Sequence, residues 1–316
     1  MAQCSDIQPT LLVLTGPTGV GKTELSLRLA EHWGCPIVSA DSRQFFREIP
    51  IGTAAPTPAE QARVRHYFIG TKSVADDYNA GQYERDAIAL LDTLFAQHRV
   101  VVLTGGSMMY IDAVCNGFDD IPTISEEVRA QARQDYETQG LTWLQQEVQR
   151  LDPAYWEEVD KQNPQRLLHC LEICRATGRT YSSLRQKRRA KRPFRILKIG
   201  LTRPREELYQ RINLRVEQMM AQGLLEEAKS VYPFRAKNSL QTVGYRELFA
   251  YFDGQYTLEK AVEMIQQNSR HYAKRQMTWF NRDTAIHWIN ADLDYETQLH
   301  TIIDWLCADS VQEDDR

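Results

Sequence analysis

A glycine-rich segment near the N-terminus has the residue types and the spacing of a phosphate-binding loop. Residues 16–23 read GPTGVGKT, which fits the pattern G-x-x-x-x-G-K-[ST]. The glycines let backbone N–H groups converge on an anion, and a helix that begins there adds partial positive charge. Lys22 supplies a full positive charge to a terminal phosphate, and Thr23 supplies a hydroxyl for a metal ion. We therefore predict a di- or triphosphate site formed by Gly16, Pro17, Thr18, Gly19, Val20, Gly21, Lys22 and Thr23.

The phosphate loop alone does not show which bond the protein breaks. The strand-end carboxylate that a kinase requires is also missing from the expected position. Kinases and NTPases hold magnesium with an acidic side chain at a strand end. The strongest strand signal, VVVLT at residues 100–104, runs into Gly105, Gly106 and Ser107 without an acid. The nearest acidic candidate is Asp41, which follows a second predicted strand in PIVSADSRQ. The phosphate loop and Asp41 together pose the question of which chemistry the site performs.

The composition is that of an ordinary globular protein. The chain has 316 residues, of which 42% are hydrophobic and 25% charged, and its net charge is -4. A nucleic-acid surface would therefore have to be a local patch. No signal-type segment and no membrane-length apolar run is found, so we expect a cytoplasmic protein without membrane contact. Six scattered cysteines favour reduced thiols, although the spacing of Cys170 and Cys174 gives a weak indication of a metal site.

The order of the predicted elements indicates an α/β fold with an insertion. Buried strand patterns alternate with helix patterns through the first 118 residues, which predicts a P-loop NTPase-like parallel sheet covered on both faces. Residues 125–192 contain helix patterns only, with breaks at Gly140, Pro153, Pro164 and Gly178. We predict a core formed by residues 1–120 and 193–316, with a helical C-terminal region, and an all-helical insertion domain at 121–192.

The segment after the last break returns to the sheet and then forms a long amphipathic stretch. RILKIGLT, residues 195–202, is a predicted strand, and residues 203–231 are predicted to form one long helix. Its apolar positions Leu208, Ile212 and Val216 recur at helical spacing, which is typical of core packing. AIHWIN, residues 285–290, is a predicted last strand.

Several motifs together resemble one family, the tRNA dimethylallyltransferases. The matching segments, spread over about residues 10 to 290, read GPTGVGKTEL, VSADSRQ, LTGGSMMYIDAVCNG, NPQRLLHCLEICRATGR, LYQRINLRVEQMMAQGLLEEA, TVGYRELFAYFDG and RHYAKRQMTWF. The chain is similar to the bacterial members, which lack a zinc-finger extension. It departs from the family pattern at Gly19, usually Ala, at Ser107, usually Thr, and in RQFFREIPIGTAAPT, where a tyrosine and a lysine are lost.

The resemblance implies an answer to the question of the loop. In the family the loop holds the diphosphate of dimethylallyl diphosphate, and the prenyl group passes to N6 of adenosine 37 in the tRNA anticodon loop. Asp41 matches the catalytic general base, although an aspartate before Ser-Arg-Gln is also a common helix cap. Lys22, Thr23, Ser107 and magnesium (Mg2+), with Thr23 as a ligand, would stabilise the leaving diphosphate. An arginine of the long helix would assist, with Arg215 preferred and Arg211 second.

The resemblance also implies a set of tRNA contacts. Extruding adenosine 37 from the loop would let a side-chain amide meet the adenine edge. The implied contacts are Asp41, Ser42, Arg43, Gln44, Ser107, Arg129, Gln165, Arg166, Leu167, Leu168, His169, Lys274, Arg275 and Gln276. An ordinary surface amide remains the alternative for Gln44. Trp279 and Phe280 follow the last of these residues and either stack on bases or pack in the core.

One basic segment opposes the negative net charge. Between Arg185 and Arg205 the chain contains many Lys and Arg residues and no acid, which predicts a phosphate-binding strip that includes Arg188, Arg189 and Lys191. A solvated linker is the alternative. We expect the protein to work as a monomer.

Three other functions remain open from the residues alone. A small-molecule or nucleoside kinase would share the loop but would need ATP and a strand-end acid, and it has no use for the basic segments. A non-catalytic RNA-binding module would not need Asp41. An enzyme that prenylates free adenine nucleotides would not need the helical insertion or the basic C-terminal region.

Overall fold

A computed structural model describes residues 8–119, 121–122, 124–185 and 190–308. The predicted phosphate contacts Arg188 and Arg189 lie outside these described residues. The chain forms two compact units, one containing the residues up to Cys115 and from Arg192 onward, the other containing Asn116–Lys191. Among the described helices, none has the length and apolar character needed to cross a bilayer.

The first unit is built on a six-stranded parallel sheet, which confirms the predicted fold class. The strands are β1 Thr10–Thr15, β2 Ile37–Ser39, β3 His66–Tyr67, β4 Val100–Thr104, β5 Arg195–Thr202 and β6 Ile286–Asn290. Their order across the sheet is β3-β2-β4-β1-β5-β6, and every pairing is parallel. Every residue of β1 is buried, as expected for a central strand covered on both faces.

Helices connect the strands and make up most of the described part of the second unit. They are α1 Lys22–Trp33, α2 Pro58–Arg63, α3 Ala80–Phe95, α4 Met108–Asn116, α5 Glu126–Leu151, α6 Pro153–Glu158, α7 Pro164–Thr177, α8 Tyr181–Leu184, α9 Arg205–Ala221, α10 Leu224–Val231, α11 Tyr245–Phe252, α12 Leu258–Phe280 and α13 Tyr295–Ala308. Successive side chains of β1 point to opposite faces of the sheet, so Leu12 and Leu14 enter one apolar layer and Leu11 and Val13 enter the other.

The amphipathic stretch after β5 is two helices, so the prediction of one long helix is wrong. Leu208, Ile212 and Val216 are buried along α9, as their spacing predicts. The chain then turns at Gly223, whose φ of 101° is strained for any residue with a Cβ. The hydrophobic period continues across this turn, which is why the pattern alone suggests a continuous helix.

The insertion consists of helices that surround a core of their own. Leu144, Val148, Leu167 and Cys170 are fully buried in one apolar cluster within it. All four predicted breaks are confirmed, because Gly140 has non-helical dihedral angles inside α5, Pro153 and Pro164 begin α6 and α7, and Gly178 ends α7. Asp152 and Asn163 cap the two helices that begin with proline.

Candidate active site at the carboxyl edge of the sheet

The carboxyl ends of three neighbouring strands bring the phosphate loop, Asp41 and Ser107 to one edge of the sheet. The strands that follow β1 in sequence first lie on one side of it, where β2, β3 and β4 are found, and then on the other side, where β5 and β6 are found. The strand order therefore reverses at β1, and ligands of open α/β sheets bind at such a reversal. The end of β2 lies close to the end of β4, since the Ala40 N–H donates to Thr104 O over 2.7 Å. A Cβ at Gly105 would lie 2.3 Å from Ala40 O, so this approach requires glycine.

The three cationic side chains predicted for the site all contact the phosphate loop. The Lys22 ammonium donates to Gly16 O and Pro17 O over 2.8 and 2.9 Å. From α9, Arg211 Nε donates to Gly19 O over 3.0 Å and Arg215 Nη1 donates to Thr18 Oγ1 over 3.2 Å. Because these two arginines are four residues apart, they occupy the same face of the helix. The predicted cations thus meet at one loop.

The charges of the site act on one another. Burial and, to a smaller extent, the charge of the neighbouring Arg215 lower the pKa of Lys22 to about 7, whereas the charge of Asp41 opposes the shift. Burial also lowers the pKa of Arg215, and Asp41 again acts in the opposite direction. Asp41 therefore lies near enough to both cations to interact with their charges, although it comes from a different strand end.

Asp41 uses one carboxylate oxygen to hold its own turn. Its Oδ1 accepts the Arg43 N–H over 3.0 Å, which closes a turn. No helix begins at this turn, so the helix-cap alternative is wrong. Its other oxygen accepts no hydrogen bond from any residue that the structure describes. The same carboxylate can therefore fix the local backbone and still accept a proton.

The segment that carries Asp41 is tied to the end of β4 by two serines. The Ser42 N–H donates to Ser107 Oγ over 2.8 Å, and Ser107 Oγ donates to Ser42 Oγ over 3.0 Å. Ser107 is buried, with 7% of its surface exposed. The Ser107 hydroxyl thus positions the segment that carries Asp41 through two hydrogen bonds to Ser42.

Arg43 and Gln44 are half-buried, and polar contacts with the protein hold both side chains. Arg43 Nη1 donates to Asn238 O over 2.8 Å. The Gln44 amide accepts from Ser39 Oγ over 3.0 Å and donates to Ala54 O over 3.1 Å. The alternative of an ordinary surface amide does not describe Gln44, because both ends of the amide are bonded.

The C-terminal helix α12 places its predicted RNA contacts on different faces. Lys274 and Arg275 are exposed, whereas Gln276 is 1% exposed and is hydrogen-bonded to the phosphate loop and to Gly106. The prediction of a tRNA contact is therefore corrected for Gln276, since its side chain has no free surface. Phe280 packs in the core, so base stacking is excluded for it, while Trp279 remains 40% exposed.

Tyr272 is a residue of the site that sequence reasoning missed. It precedes Gln276 by one helical turn, and its hydroxyl donates to Gly106 O over 3.4 Å. Burial and, to a smaller extent, the charge of Asp41 raise the pKa of Tyr272 to about 12. The i, i+4 spacing from Gln276 was the signal in the sequence that could have identified it.

Much of the predicted phosphate-binding strip is internal to the first unit. Arg192 pairs with Glu84 over 2.7 Å, and Lys198 pairs with Asp283 over 2.6 Å. Two further arginines also have partners within the first unit. Arg195 donates to the carbonyl oxygens of Trp305 and Leu306, and Arg203 pairs with Glu207 and Asp292. The strip interpretation is wrong for these four residues, because each cation is already paired with acids or carbonyl oxygens of the first unit. Lys191 is exposed.

In the insertion, the contiguous predicted segment 165–169 divides between surface and core. Gln165, Arg166 and His169 are exposed on α7, whereas Leu167 is fully buried and Leu168 is partly buried. The predicted contact is therefore corrected for the side chain of Leu167, which has no surface to offer.

Arg129 lies in the same unit and has an unusual environment. Its Nε atom is buried and has no hydrogen-bond partner among the described residues. Burial lowers the pKa of His169, and the charge of Arg129 lowers it further. These two predicted contacts therefore lie near enough for their charges to interact.

The cysteine pair gives the one group of three metal-type ligands found in the described part of the chain. The ligand atoms of Asp152, Cys170 and Cys174 lie within 4.8 Å of one another. Both Asp152 oxygens already accept hydrogen bonds, from Tyr155 N over 3.0 Å and from Ser182 N and Oγ over 2.7 and 2.6 Å. Helix capping thus accounts for the carboxylate, and both cysteines are free thiols.

The fold and the site define a P-loop enzyme whose carboxylate stands at the end of β2 instead of β4. The family model described as IPP transferase matches residues 44–283. A tRNA dimethylallyltransferase 1 of Bacteroides thetaiotaomicron is 58% identical over 288 residues, which cover 91% of this chain and 94% of that protein. A tRNA dimethylallyltransferase of Flavobacterium johnsoniae is 44% identical over a match that covers 93% of this chain and 97% of that protein.

A solved structure agrees with these sequence relatives. The full-length tRNA isopentenylpyrophosphate transferase of Bacillus halodurans matches with a TM-score of 0.70 at 33% identity, covering 95% of this chain and 96% of that one. The chain belongs to the IPP transferase family of tRNA dimethylallyltransferases. It is an enzyme that transfers a prenyl group to tRNA, which confirms the function implied by its motifs.

Proposed function

We propose that the enzyme takes the prenyl group from dimethylallyl diphosphate and transfers it to N6 of adenosine 37 in the tRNA anticodon stem-loop. The observation that carries this proposal is the position of Asp41, which keeps one oxygen free while its charge acts on Lys22 of the phosphate loop. A base beside a diphosphate site suits alkyl transfer, in which a proton leaves the acceptor as the diphosphate departs.

The phosphate loop binds a leaving group. As the N–C bond forms, the C–O bond of the donor breaks and its electron pair goes to the departing diphosphate oxygen. Lys22, Arg211 and Arg215 surround the loop and are positioned to stabilise that negative charge. The backbone N–H groups at the beginning of α1 add their partial charges.

Asp41 accepts the proton that the acceptor amine loses. The lone pair of an adenine amine is delocalised into the ring, so the amine is a weak nucleophile until its proton is removed. The free oxygen of Asp41 takes this proton, while its other oxygen keeps the turn fixed through the Arg43 N–H. The proton therefore ends on the carboxylate, and the prenylated amine is neutral.

The residues at the start of α1 fit a magnesium ion. Thr23 is exposed, and its hydroxyl makes no hydrogen bond to another described residue. Magnesium prefers such oxygen donors and commonly shares its coordination with phosphates and water. The ion would neutralise charge on the diphosphate, and Thr23 would hold it.

RNA binding uses surfaces of both units in this proposal. Ser42 and Ser107 flank the base, and the exposed Lys274 and Arg275 offer cations to phosphates. In the insertion the remaining contacts are four side chains with polar atoms: Arg129, Gln165, Arg166 and His169. Adenosine 37 has to leave the stacked loop to reach Asp41, as in other base-modifying enzymes.

The direct test combines both substrates. Dimethylallyl diphosphate labelled in its prenyl group is incubated with an unmodified anticodon stem-loop, and we expect the label to appear in the RNA without consumption of ATP. A stem-loop with guanosine at position 37 is the control and should stay unlabelled. Consumption of ATP without prenyl transfer would instead support the kinase alternative. We also propose a cytoplasmic monomer, which light scattering would show as a mass of 36.6 kDa.

A further inference from the structure

The amide of Gln276 bridges two loops that belong to different strand ends. Gln276 is on α12 and is 1% exposed. Its Oε1 accepts the Thr18 N–H over 2.9 Å, and its Nε2 donates to Gly106 O over 2.8 Å. One short side chain thus connects the phosphate loop, which follows β1, to the turn that follows β4. A buried amide with both ends bonded has a single orientation.

At the phosphate end, Gln276 fixes the residue that orients an arginine. Thr18 donates its N–H to Gln276 and accepts the Arg215 guanidinium at its Oγ1 over 3.2 Å. The Thr18 N–H therefore points to Gln276, and the anion-binding N–H groups are those that follow it, towards α1. Movement of Gln276 would shift Thr18 and disturb the hydrogen bond that orients the Arg215 guanidinium.

At the other end, Gln276 begins a chain of hydrogen bonds that reaches the base. Gly106 precedes Ser107, whose hydroxyl holds the backbone N–H of Ser42, the residue after Asp41. A Cβ at Gly106 would lie 2.4 Å from Gln276 Nε2, so the contact needs glycine here. The Gln276 amide therefore connects the phosphate loop to the segment that carries Asp41.

Tyr272 supports the same carbonyl from the same helix face. Its hydroxyl donates to Gly106 O over 3.4 Å, one turn before Gln276. The phenol stays protonated at neutral pH, since burial and the charge of Asp41 raise the pKa of Tyr272 to about 12. Gly106 O thus receives two donors from α12, which fixes the turn against the helix.

We propose that Gln276 is a positioning residue that sets the distance between the diphosphate and the general base. The inference rests on the proposed function, and it replaces the tRNA contact expected for this residue. The reacting groups of an alkyl transfer need near-attack geometry, and a displacement of about 1 Å can cost about 100-fold in rate. Gln276 acts through Thr18 and Gly106, and it touches neither substrate.

The first experiment compares Gln276→Met with Gln267→Met, the same change at an exposed glutamine of α12. For Gln276→Met we expect a single-turnover rate about 10- to 100-fold below wild type, with the tRNA Kd and the KM for dimethylallyl diphosphate within about threefold. The control should match wild type. A raised tRNA Kd with a wild-type rate at saturating tRNA would show an RNA contact, and unchanged values throughout would exclude the positioning role.

The second experiment uses Gln276→Glu, which keeps the length of the side chain. An ionised carboxylate can accept from Thr18 N but cannot donate to Gly106 O, whereas the protonated acid can do both. Burial raises the pKa of such a carboxyl group, so the rate of the variant divided by that of wild type should rise as the pH falls. A ratio independent of pH would overturn the proposal. Failure of the proposed function would appear differently, as an inactive wild type.

Discussion

The α/β unit and the helical insertion supply their functional residues in opposite ways. In the α/β unit the proposed catalytic groups come from segments remote in sequence, and hydrogen bonds among those segments fix them, as Gln276 fixes Thr18 and Gly106. In the insertion three of the four proposed contacts, Gln165, Arg166 and His169, lie within five residues on one helix, where only the exposed side chains are available. The first arrangement suits chemistry, which needs fixed geometry, and the second suits RNA binding.

The difference predicts different kinetic effects of substitution. A change in the α/β site should reduce the rate of the chemical step, because each residue there orients a reacting group. A change on the exposed face of α7 should alter tRNA affinity and leave the rate at saturating tRNA unchanged. The predictions below test this distinction.

Substitution of the base should have the largest effect. Asp41→Asn keeps the shape and can still accept the Arg43 N–H, but it cannot take the proton. We expect kcat to fall by about 10²- to 10⁴-fold with the tRNA Kd nearly unchanged, measured by single-turnover transfer. Asp92→Asn, at an exposed aspartate of α3, is the matched control and should be neutral. A kcat for Asp41→Asn equal to that of wild type would exclude Asp41 as the base.

The two arginines of α9 should differ in importance. Arg215 is partly buried, binds Thr18 and interacts with Asp41, whereas Arg211 is exposed and holds only the Gly19 carbonyl. We expect Arg215→Met to lower kcat by about 100-fold and Arg211→Met by less than about tenfold. Steady-state kinetics of the two variants decide the ranking, and a larger loss for Arg211→Met would reverse the assignment.

The pH dependence of donor binding tests the charge of Lys22. Since the pKa of Lys22 is lowered to about 7, the side chain is charged below that pH and becomes neutral above it in the free enzyme. Bound diphosphate favours the charged form and raises the pKa again, so binding above pH 7 should take up about one proton, and affinity should fall by up to about tenfold per pH unit.

Calorimetry of dimethylallyl diphosphate binding without tRNA measures this uptake. Titrations at pH 8 in two buffers with different ionisation enthalpies give the number of protons taken up. The control is Lys22→Arg, which stays charged throughout and should show none. Equal heats in the two buffers for wild type would contradict the prediction.

The sequence predicted what local patterns determine. The buried strands follow from periodicity and the helix breaks of the insertion follow from turn residues, and both were confirmed in the structure. The phosphate-binding role of the loop stays a prediction. Features that depend on distant residues could not be read in this way. The acid that neutralises Arg192 is Glu84, on α3, and the groups that fix Gln276 are a loop near the N-terminus and a turn after β4.

The remaining wrong predictions assumed that every residue of a contiguous motif lies on the protein surface. Residues 165–169 match a family segment as a run of five, yet a helix has 3.6 residues per turn, so Leu167 must face away from its neighbours into the core. The break at Gly223 was missed for a related reason, because the apolar spacing continues beyond it. A motif gives residue identities, and the periodicity of the element decides which of them reach a ligand.

The smallest expected effect comes from the insertion, where Arg166 and Leu167 are neighbours in sequence with opposite exposure. Arg166→Ala removes a single phosphate contact, so the tRNA Kd should rise several-fold, the slope of log K against log salt should drop by about 0.7 to 0.9, and kcat should not change. Leu167→Ala leaves a core cavity instead and should lower the free energy of unfolding by about 2 to 5 kcal/mol. Binding titrations at several salt concentrations and denaturant melts separate the two. An unchanged salt slope for Arg166→Ala would exclude Arg166 as a phosphate contact.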